Sequence, residues 1–486
     1  MPSRLGTAFL CALFALLTAL PSGAGRKKDA DEAFRFRPGT DRFELRHEWR
    51  AAWLTTVHGT DWPDADDDAA TQQEKLVTMI RDLKELGINV VFFQTVSNQD
   101  AVYPSAILPW SNVLTGKQGK DPGYDPLALA VSTCRENGLQ IHAWINPFRC
   151  GPVKSERDPK HVVLAHPEWI QTYRKGYYLD PALPGVRDYL ASIVTELLTR
   201  YDLDGIHLDD YFYPEGLQAD KGNWNDDKAW RRYGKGTKRE TWRYANVDTV
   251  VRALSQATHA AKPTAVFGIS PAGRLVNTLK IYADPRSWAK DGTVDYLIPQ
   301  IYWNHGHPIA DFPTVLAGWE EIVGNVPMFT GLGAYRYGDK GFESLEEFDA
   351  QVKASRNAPY VFGHAWFPSK TILREDFREH LKEGAYRWPS LVPKIGESDG
   401  VVPAAPHPRV SGDELNWQEC EGATGYAVYE LVRSEEDPTL WEACLVMNGN
   451  HLSFKGKEHT NYIVVAYAGK EKSAFSELVF IPSKKK

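Results

Sequence analysis

The chain is poor in cysteine, with 5 residues in 486. No pair of them has the spacing of a thiolate metal site, which removes metal centres of that kind from consideration. An excess of positive charge is also missing. The 56 Lys and Arg face 63 Asp and Glu, a formal net charge of -7, and that argues against nucleic acid or an anionic membrane surface as partner. The first strand is followed by His58-Gly-Thr-Asp61 and not by a glycine-rich phosphate loop, so nucleotide binding of the usual α/β kind is not indicated. His58 with Asp61, His142 and His364 could suggest a metal centre, but the His-x-His pair of metal-dependent barrels is absent after strand one. No cofactor is implied.

The only long apolar stretch stands at the start. Residues 1–25 combine Arg4, an apolar run over 9–20 and a Ser22-Gly-Ala24 cleavage site, the pattern of an export leader. The run is shorter than the roughly 20 residues that cross a bilayer, so no membrane span is expected. In an oxidising compartment Cys420 and Cys444 are candidates for a bridge, with Cys134 and Cys150 left free.

Aromatic residues, by contrast, are abundant: 16 Trp, 22 Tyr and 20 Phe. A core needs fewer, and flat rings stacked on sugar faces are one use for the surplus. After a charged linker over 26–44, apolar strands alternate with amphipathic helical patterns. Strands are expected at 49–57, 88–96, 140–146, 203–210, 265–270, 296–303, 328–333 and 360–367. Helical patterns lie between them, including 71–86, where Thr71 and Glu74 read as a capping box. That succession predicts an α/β fold, a (β/α)8 TIM barrel over 45–392. A Pro- and Gly-containing linker over 393–408 precedes short alternating strands without helices, the pattern of a small all-β sandwich over 409–486.

Barrel chemistry sits at the C-terminal ends of the strands. Strand four ends in Gly205-Ile-His-Leu-Asp-Asp-Tyr-Phe-Tyr-Pro214, where His207 and Asp209 share one face and Asp210 follows. Two neighbouring carboxylates at a strand end suit acid/base work on sugars. The other ends offer His58 and Asp61, Gln94, Asn146 with Arg149, Ser270 with Arg274, Gln300 with Tyr302, Trp303 and Asn304, Tyr335 with Arg336, and His364 with Trp366.

Trp53-Leu-Thr-Thr-Val-His58, Gln94 with Asp100-Ala-Val-Tyr-Pro-Ser105, His142-Ala-Trp-Ile-Asn-Pro-Phe-Arg149, the strand-four segment, Gly268-Ile-Ser-Pro271 and Pro299-Gln-Ile-Tyr-Trp303 together resemble the bacterial glycosyl-hydrolase-like family ten. The resemblance covers about residues 45–385. It implies an exported barrel glycosidase; one cell-division member cuts peptidoglycan strands stripped of their stem peptides. One departure stands out: such members usually carry Arg after the strand-two Gln, and this chain has Gln94-Thr-Val-Ser. That leaves open what would make the carboxylate or N-acetyl contact such an Arg implies. The tail, with Trp417, Tyr426-Ala-Val-Tyr429 and Tyr462-Ile-Val-Val-Ala-Tyr467, resembles a fibronectin type III module, a type that more often spaces or binds than catalyses.

Amylase-like barrels take their acid from strand five, where this chain has Ser270-Pro271. A chitinase-like strand four would carry Asp-Gly-x-Asp-x-Asp-x-Glu; here His207 and Tyr211 replace two of those acids. A substrate-assisted scheme fits better, with Asp209 polarising the sugar's acetamide and Asp210 protonating the leaving oxygen. Tyr302 would then bond the acetamide oxygen, Asn146 and Gln94 the hydroxyls, and His58, Arg149, His207, Trp303 and Trp366 complete the expected substrate contacts. The competing scheme makes Asp209 a nucleophile or base and takes the acid from Asp100, Glu215 or Asp295. Another polysaccharide as substrate, or a barrel that binds glycan without cleaving it, are the alternatives to hydrolysis of peptide-free peptidoglycan.

Overall fold

The computed structural model describes residues 31–483 except 33, 65, 399, 435 and 436. The leader expected over 1–25 and the terminal Lys484-Lys-Lys486 lie outside the described residues. The chain divides into two compact units, one of residues 46–401 with 469–471 and the other of the remainder.

Eight strands of the larger unit close into one barrel: β1 Trp49–Leu54, β2 Val90–Val96, β3 Gln140–Ile145, β4 Gly205–Leu208, β5 Val266–Ile269, β6 Tyr296–Leu297, β7 Met328–Gly333 and β8 Val361–Phe367. Every pairing is parallel, each strand beside its neighbour in sequence and β8 returning to β1. Such strands must bury both faces. Accordingly Ala52, Leu54, Val91 and Phe93 meet the surrounding helices, whereas Trp49, Trp53, Phe92 and Phe329 fill the barrel.

The barrel interior is partly polar, and a chain of hydrogen bonds links several of its side chains, while Trp49 Nε1 and His142 Nε2 are buried without a partner. Trp53 Nε1 can only donate, and it lies 3.0 Å from His207 Nε2. That nitrogen therefore accepts, and Nδ1 carries the hydrogen. His207 Nδ1 then donates to the Tyr296 hydroxyl at 3.1 Å, which donates in turn to His142 Nδ1 at 3.0 Å. Burial pushes the His142 pKa down to about 3 and the His207 pKa well below its ordinary value, so both rings are neutral. Gly268 makes room for this stack, because a Cβ there would fall inside the Tyr296 ring.

Several local expectations are corrected. The first helix, Ala69–Leu86, begins earlier than expected and is capped by Asp68, whose side chain accepts from Thr71 N; Thr71 and Glu74 form no capping box because both already lie inside the helix. β6 is only two residues long, its continuation making isolated bridges at Gln300 to Ala272 and Gly331. After β3 the chain forms a small antiparallel sheet of Arg149–Pro152, Ile170–Tyr173 and Gly176–Leu179. In the insertion that follows β4, Trp224 is buried against Tyr178 and Tyr213.

The smaller unit carries two sheets. One sheet is built on Gly425–Arg433, Leu440–Gly449 and Thr460–Ala468, and a three-stranded sheet on Arg409–Ser411, Glu414–Asn416 and Ser453–Lys455. Leu415, Tyr426, Val428, Tyr462 and Val464 form their shared core. The segment expected as a linker is corrected too: Arg42–Leu45 is a strand, parallel to residues 440–443 of that first sheet. Phe43 anchors it, edge-on to Phe475 at 5.1 Å. The bridge expected between Cys420 and Cys444 is not formed, and Cys134 and Cys150 are buried thiols outside any disulfide.

Candidate active site

β4 delivers the two acids by its pleat. His207 and Asp209 point inward, Leu208 outward, and Asp210 begins the loop. Asp209 is 3% exposed. Its Oδ2 accepts from Trp144 Nε1 at 3.1 Å and Asn146 Nδ2 at 3.2 Å, and its Oδ1 from Asn146 Nδ2 at 3.3 Å and Tyr211 N at 3.3 Å. Burial, and then the neighbouring Asp210 charge, raise the Asp209 pKa to about 7 despite these bonds. Burial raises Asp210 to about 6, opposed by the Gln300 amide and Arg149, while the exposed Glu215 adds negative charge. Asp210 keeps part of its surface open to solvent, and Tyr211 beside it is 48% exposed. One acid is thus embedded and hydrogen-bonded, and the other is partly exposed where the loop after β4 begins. Both hold protons at pH values where an ordinary carboxyl would not.

Three more of the expected residues belong to this constellation. Asn146 clasps Asp209 and accepts from Arg149 N at 3.2 Å through Oδ1. The Arg149 guanidinium lies 4.2 Å over the Tyr211 ring. Tyr302 packs on Phe367 and meets Tyr335 edge-on at 5.7 Å. Burial, then Tyr335 and the acids, keep the Tyr302 pKa well above its ordinary value, so its hydroxyl remains a donor.

Others stand elsewhere. Gln94 Oε1 is committed to Thr56 N and Val57 N, at 3.0 and 2.8 Å, and so holds the loop after β1. His58 is exposed in that loop with a left-handed φ of 58°. Trp303 is half-buried, its ring against Gly273. Two expectations are corrected outright. His207 has no exposed surface, both its nitrogens being used inside the barrel. Trp366 faces the helices, with Nε1 on the Tyr386 hydroxyl at 2.7 Å and its ring against Phe377, because the pleat of β8 turns Ala365 inward instead.

Of the alternative acids, Asp295 precedes β6 at the opposite end of the barrel, bound by Phe267 N and His259. Asp100 is buried under Gln118. Only Glu215 stands near Asp210. Asp61, raised to about 6 by burial, pins the loop after β1 to Lys370 N and is structural. Arg274 lines a separate cavity of about 500 Å³ between the loops after β5 and β6. Among the described residues no group of three or more His, Cys, Asp or Glu is placed to hold a metal ion, and no helix is long and apolar enough to cross a membrane.

Sequence reasoning named Trp144, Tyr211 and Gln300 without giving any of them a role in the site. Trp144 was findable, since it shares its face with His142 and Asn146 on β3. Tyr211 and Gln300 carry no signal beyond their place beside Asp210 and Tyr302.

The fold and site together define a parallel (β/α)8 barrel with an acid pair at the C-terminal end of its fourth strand. Residues 48–343 match the family described as glycosyl hydrolase-like 10. The chain is 32% identical over 388 residues to glycosyl hydrolase YngK of Bacillus subtilis (strain 168), covering 74% of this chain and 76% of that protein. It is 32% identical over 428 residues to glycosyl hydrolase DigH of Escherichia coli (strain K12), covering 79% of this chain and 97% of that one. Among solved structures, the PgaB (BpsB) glycoside hydrolase domain from Bordetella bronchiseptica aligns at 14% identity and TM-score 0.45, over 70% of this chain and 98% of that one. The catalytic domain of the β-amylase from Paenibacillus polymyxa aligns at 12% identity and TM-score 0.46, over 69% and 95%. The protein belongs to the glycosyl hydrolase-like 10 family.

Proposed function

We propose that the protein is an exported glycoside hydrolase acting on an N-acetylated glycan, foremost peptide-free peptidoglycan strands, with Asp209 and Asp210 as its catalytic pair. The observation that carries this reading is the pair itself: an embedded carboxyl at about 7 beside a partly open one at about 6. Neighbouring acids whose environments keep one proton between them suit general acid chemistry near neutrality. The substrate class rests on the family.

In the reactive form of the pair Asp210 carries the shared proton and Asp209 the charge, the less populated arrangement given the higher pKa of Asp209. Asp210 donates that proton to the glycosidic oxygen as the C1–O bond breaks. The acetamide carbonyl oxygen of the same sugar closes on C1, forming an oxazolinium ring. Water then attacks C1, the ring opens, and the water's proton returns to Asp210. Asp209 acts from beneath: its acceptor positions are filled by Trp144, Asn146 and Tyr211 N, so it works through its charge on the developing cation. The Tyr302 hydroxyl bonds the acetamide oxygen, and Asn146 keeps Asp209 in place. The β tail, with its fibronectin-like pattern, is proposed as a spacer or binding module.

The test is hydrolysis of peptide-free peptidoglycan strands by the full chain, with products read by mass spectrometry. Asp210→Asn should lower turnover by roughly 10²- to 10⁴-fold while glycan binding persists. Unimpaired turnover removes Asp210 as the acid, and a glycosyl adduct trapped on Asp209 replaces the acetamide route with a covalent one. Products only from another polysaccharide overturn the substrate, and binding without products overturns the enzyme.

A further inference from the structure

Most arginines near acids in this barrel are neutralised. Arg50 and Arg356 share Glu48, Arg135 takes Asp202 and Asp204, and Arg239 and Arg243 share Asp226. Arg149 is different. Its charge is felt by both Asp209 and Asp210, yet among the described residues it makes no ion pair with either. Its fork lies over the Tyr211 ring at 4.2 Å.

The reason is geometric. The oxygens of Asp209 are occupied by Trp144, Asn146 and Tyr211 N, and Asp210 faces the Gln300 amide. Arg149 is also anchored. Its backbone N bonds Asn146 Oδ1, the other end of the amide that clasps Asp209, and its strand pairs with Tyr178. The Arg149 backbone is thereby fixed beside the acids, and the residue remains partly open to solvent next to the 48% exposed ring of Tyr211. A planar fork of N–H donors that makes no ion pair among the described residues, held beside the acids on a half-exposed aromatic face, is suited to bidentate binding of a carboxylate.

We propose that Arg149 and Tyr211 form a specificity subsite for a carboxylate carried on the sugar, with the guanidinium taking the acid group and the exposed ring lying against the sugar face. The inference rests on the proposed glycan-hydrolase reading and deepens it: the preferred substrate is an acidic N-acetylated glycan with its carboxylates free, not a neutral one.

The experiment separates recognition from turnover. In the full-length Asp210→Asn background, binding is measured by calorimetry for peptide-free peptidoglycan oligosaccharides and for the same oligosaccharides with every carboxylate converted to a carboxamide. With Arg149 present the acidic ligand should bind roughly tenfold to a hundredfold more tightly, the range of a charge-assisted pair. Adding Arg149→Gln should bring the two affinities together, and Arg149→Lys should restore part of the gap; both variants are checked for an unchanged melting temperature. Equal affinities with Arg149 present, a preference that survives Arg149→Gln, or no binding of either ligand overturns the subsite. Absence of hydrolysis by the unsubstituted enzyme on every glycan would overturn the enzymatic reading instead, while the binding preference would still report on Arg149.

Discussion

At the scale of single residues, two carboxyls next to one another in the chain come to differ because the pleat sends them to different surroundings. Asp209 goes inward to Trp144 and Asn146; Asp210 stays at the lip. Their mutual repulsion makes the pair titrate as a unit. With pKa values of about 6 and 7, the pair holds a single proton between those values. Activity that needs one acid protonated and the other ionised should give a bell-shaped profile of kcat/KM. It falls below about pH 6 as the second proton binds and above about pH 7 as the last one leaves. Asp209→Asn removes a negative charge beside Asp210, so the Asp210 pKa should fall and the alkaline limb should move to lower pH. An alkaline limb that stays in place would show that Asp210 does not set it.

At the scale of elements, the end of the barrel opposite the acids is held by one buried acid. Glu48, just before β1, accepts from Arg50 Nε at 2.9 Å and from Arg356 Nε and Nη2 at 2.8 and 2.9 Å. Arg356 lies in the helix Glu346–Asn357, so this acid ties β1 to the element between β7 and β8. Burial alone would raise the Glu48 pKa, but the arginine bonds and charges outweigh it and hold it well below the usual range. A depressed carboxyl contributes stability above its unfolded pKa of about 4.3 and loses it as pH falls further. Glu48→Gln leaves two guanidinium groups without their counter-ion and should destabilise the barrel by about 3–5 kcal/mol at pH 7. It should also flatten the acid side of a plot of melting temperature against pH. A melting temperature unchanged at neutral pH would show that the cluster adds nothing net.

At the scale of the whole molecule, the two units are not consecutive in the chain. The strand Arg42–Leu45 precedes the barrel but belongs to the sheets that follow it. Asp41 Oδ2 accepts from Trp441 Nε1 at 3.0 Å, and Trp441 is 4% exposed. Deleting residues up to 45 should uncover that indole, red-shift its emission and lower the melting of the β unit, while the melting of the barrel is unchanged. An unshifted spectrum would mean that the parallel strand is dispensable.

The barrel was legible in the chain because alternating strand and helix patterns leave few ways to bury both faces of a parallel sheet. The acid pair was legible because a strand of four residues cannot hide two adjacent carboxyls. Pleat phase was not: His207 and Trp366 look like cleft residues in sequence, and only closure of the barrel decides that His207 lies in its interior and Trp366 under a helix. The partner of Arg42–Leu45 was equally unreadable, since pairing with residues 440–443 is a contact across nearly the whole chain. Sequence alone determined which chemical groups the strand ends carry and the order in which the strands are joined, because both are local. The tertiary structure decided which groups meet and which charges go unpaired, because burial and hydrogen-bond partners exist only once distant segments share one interior.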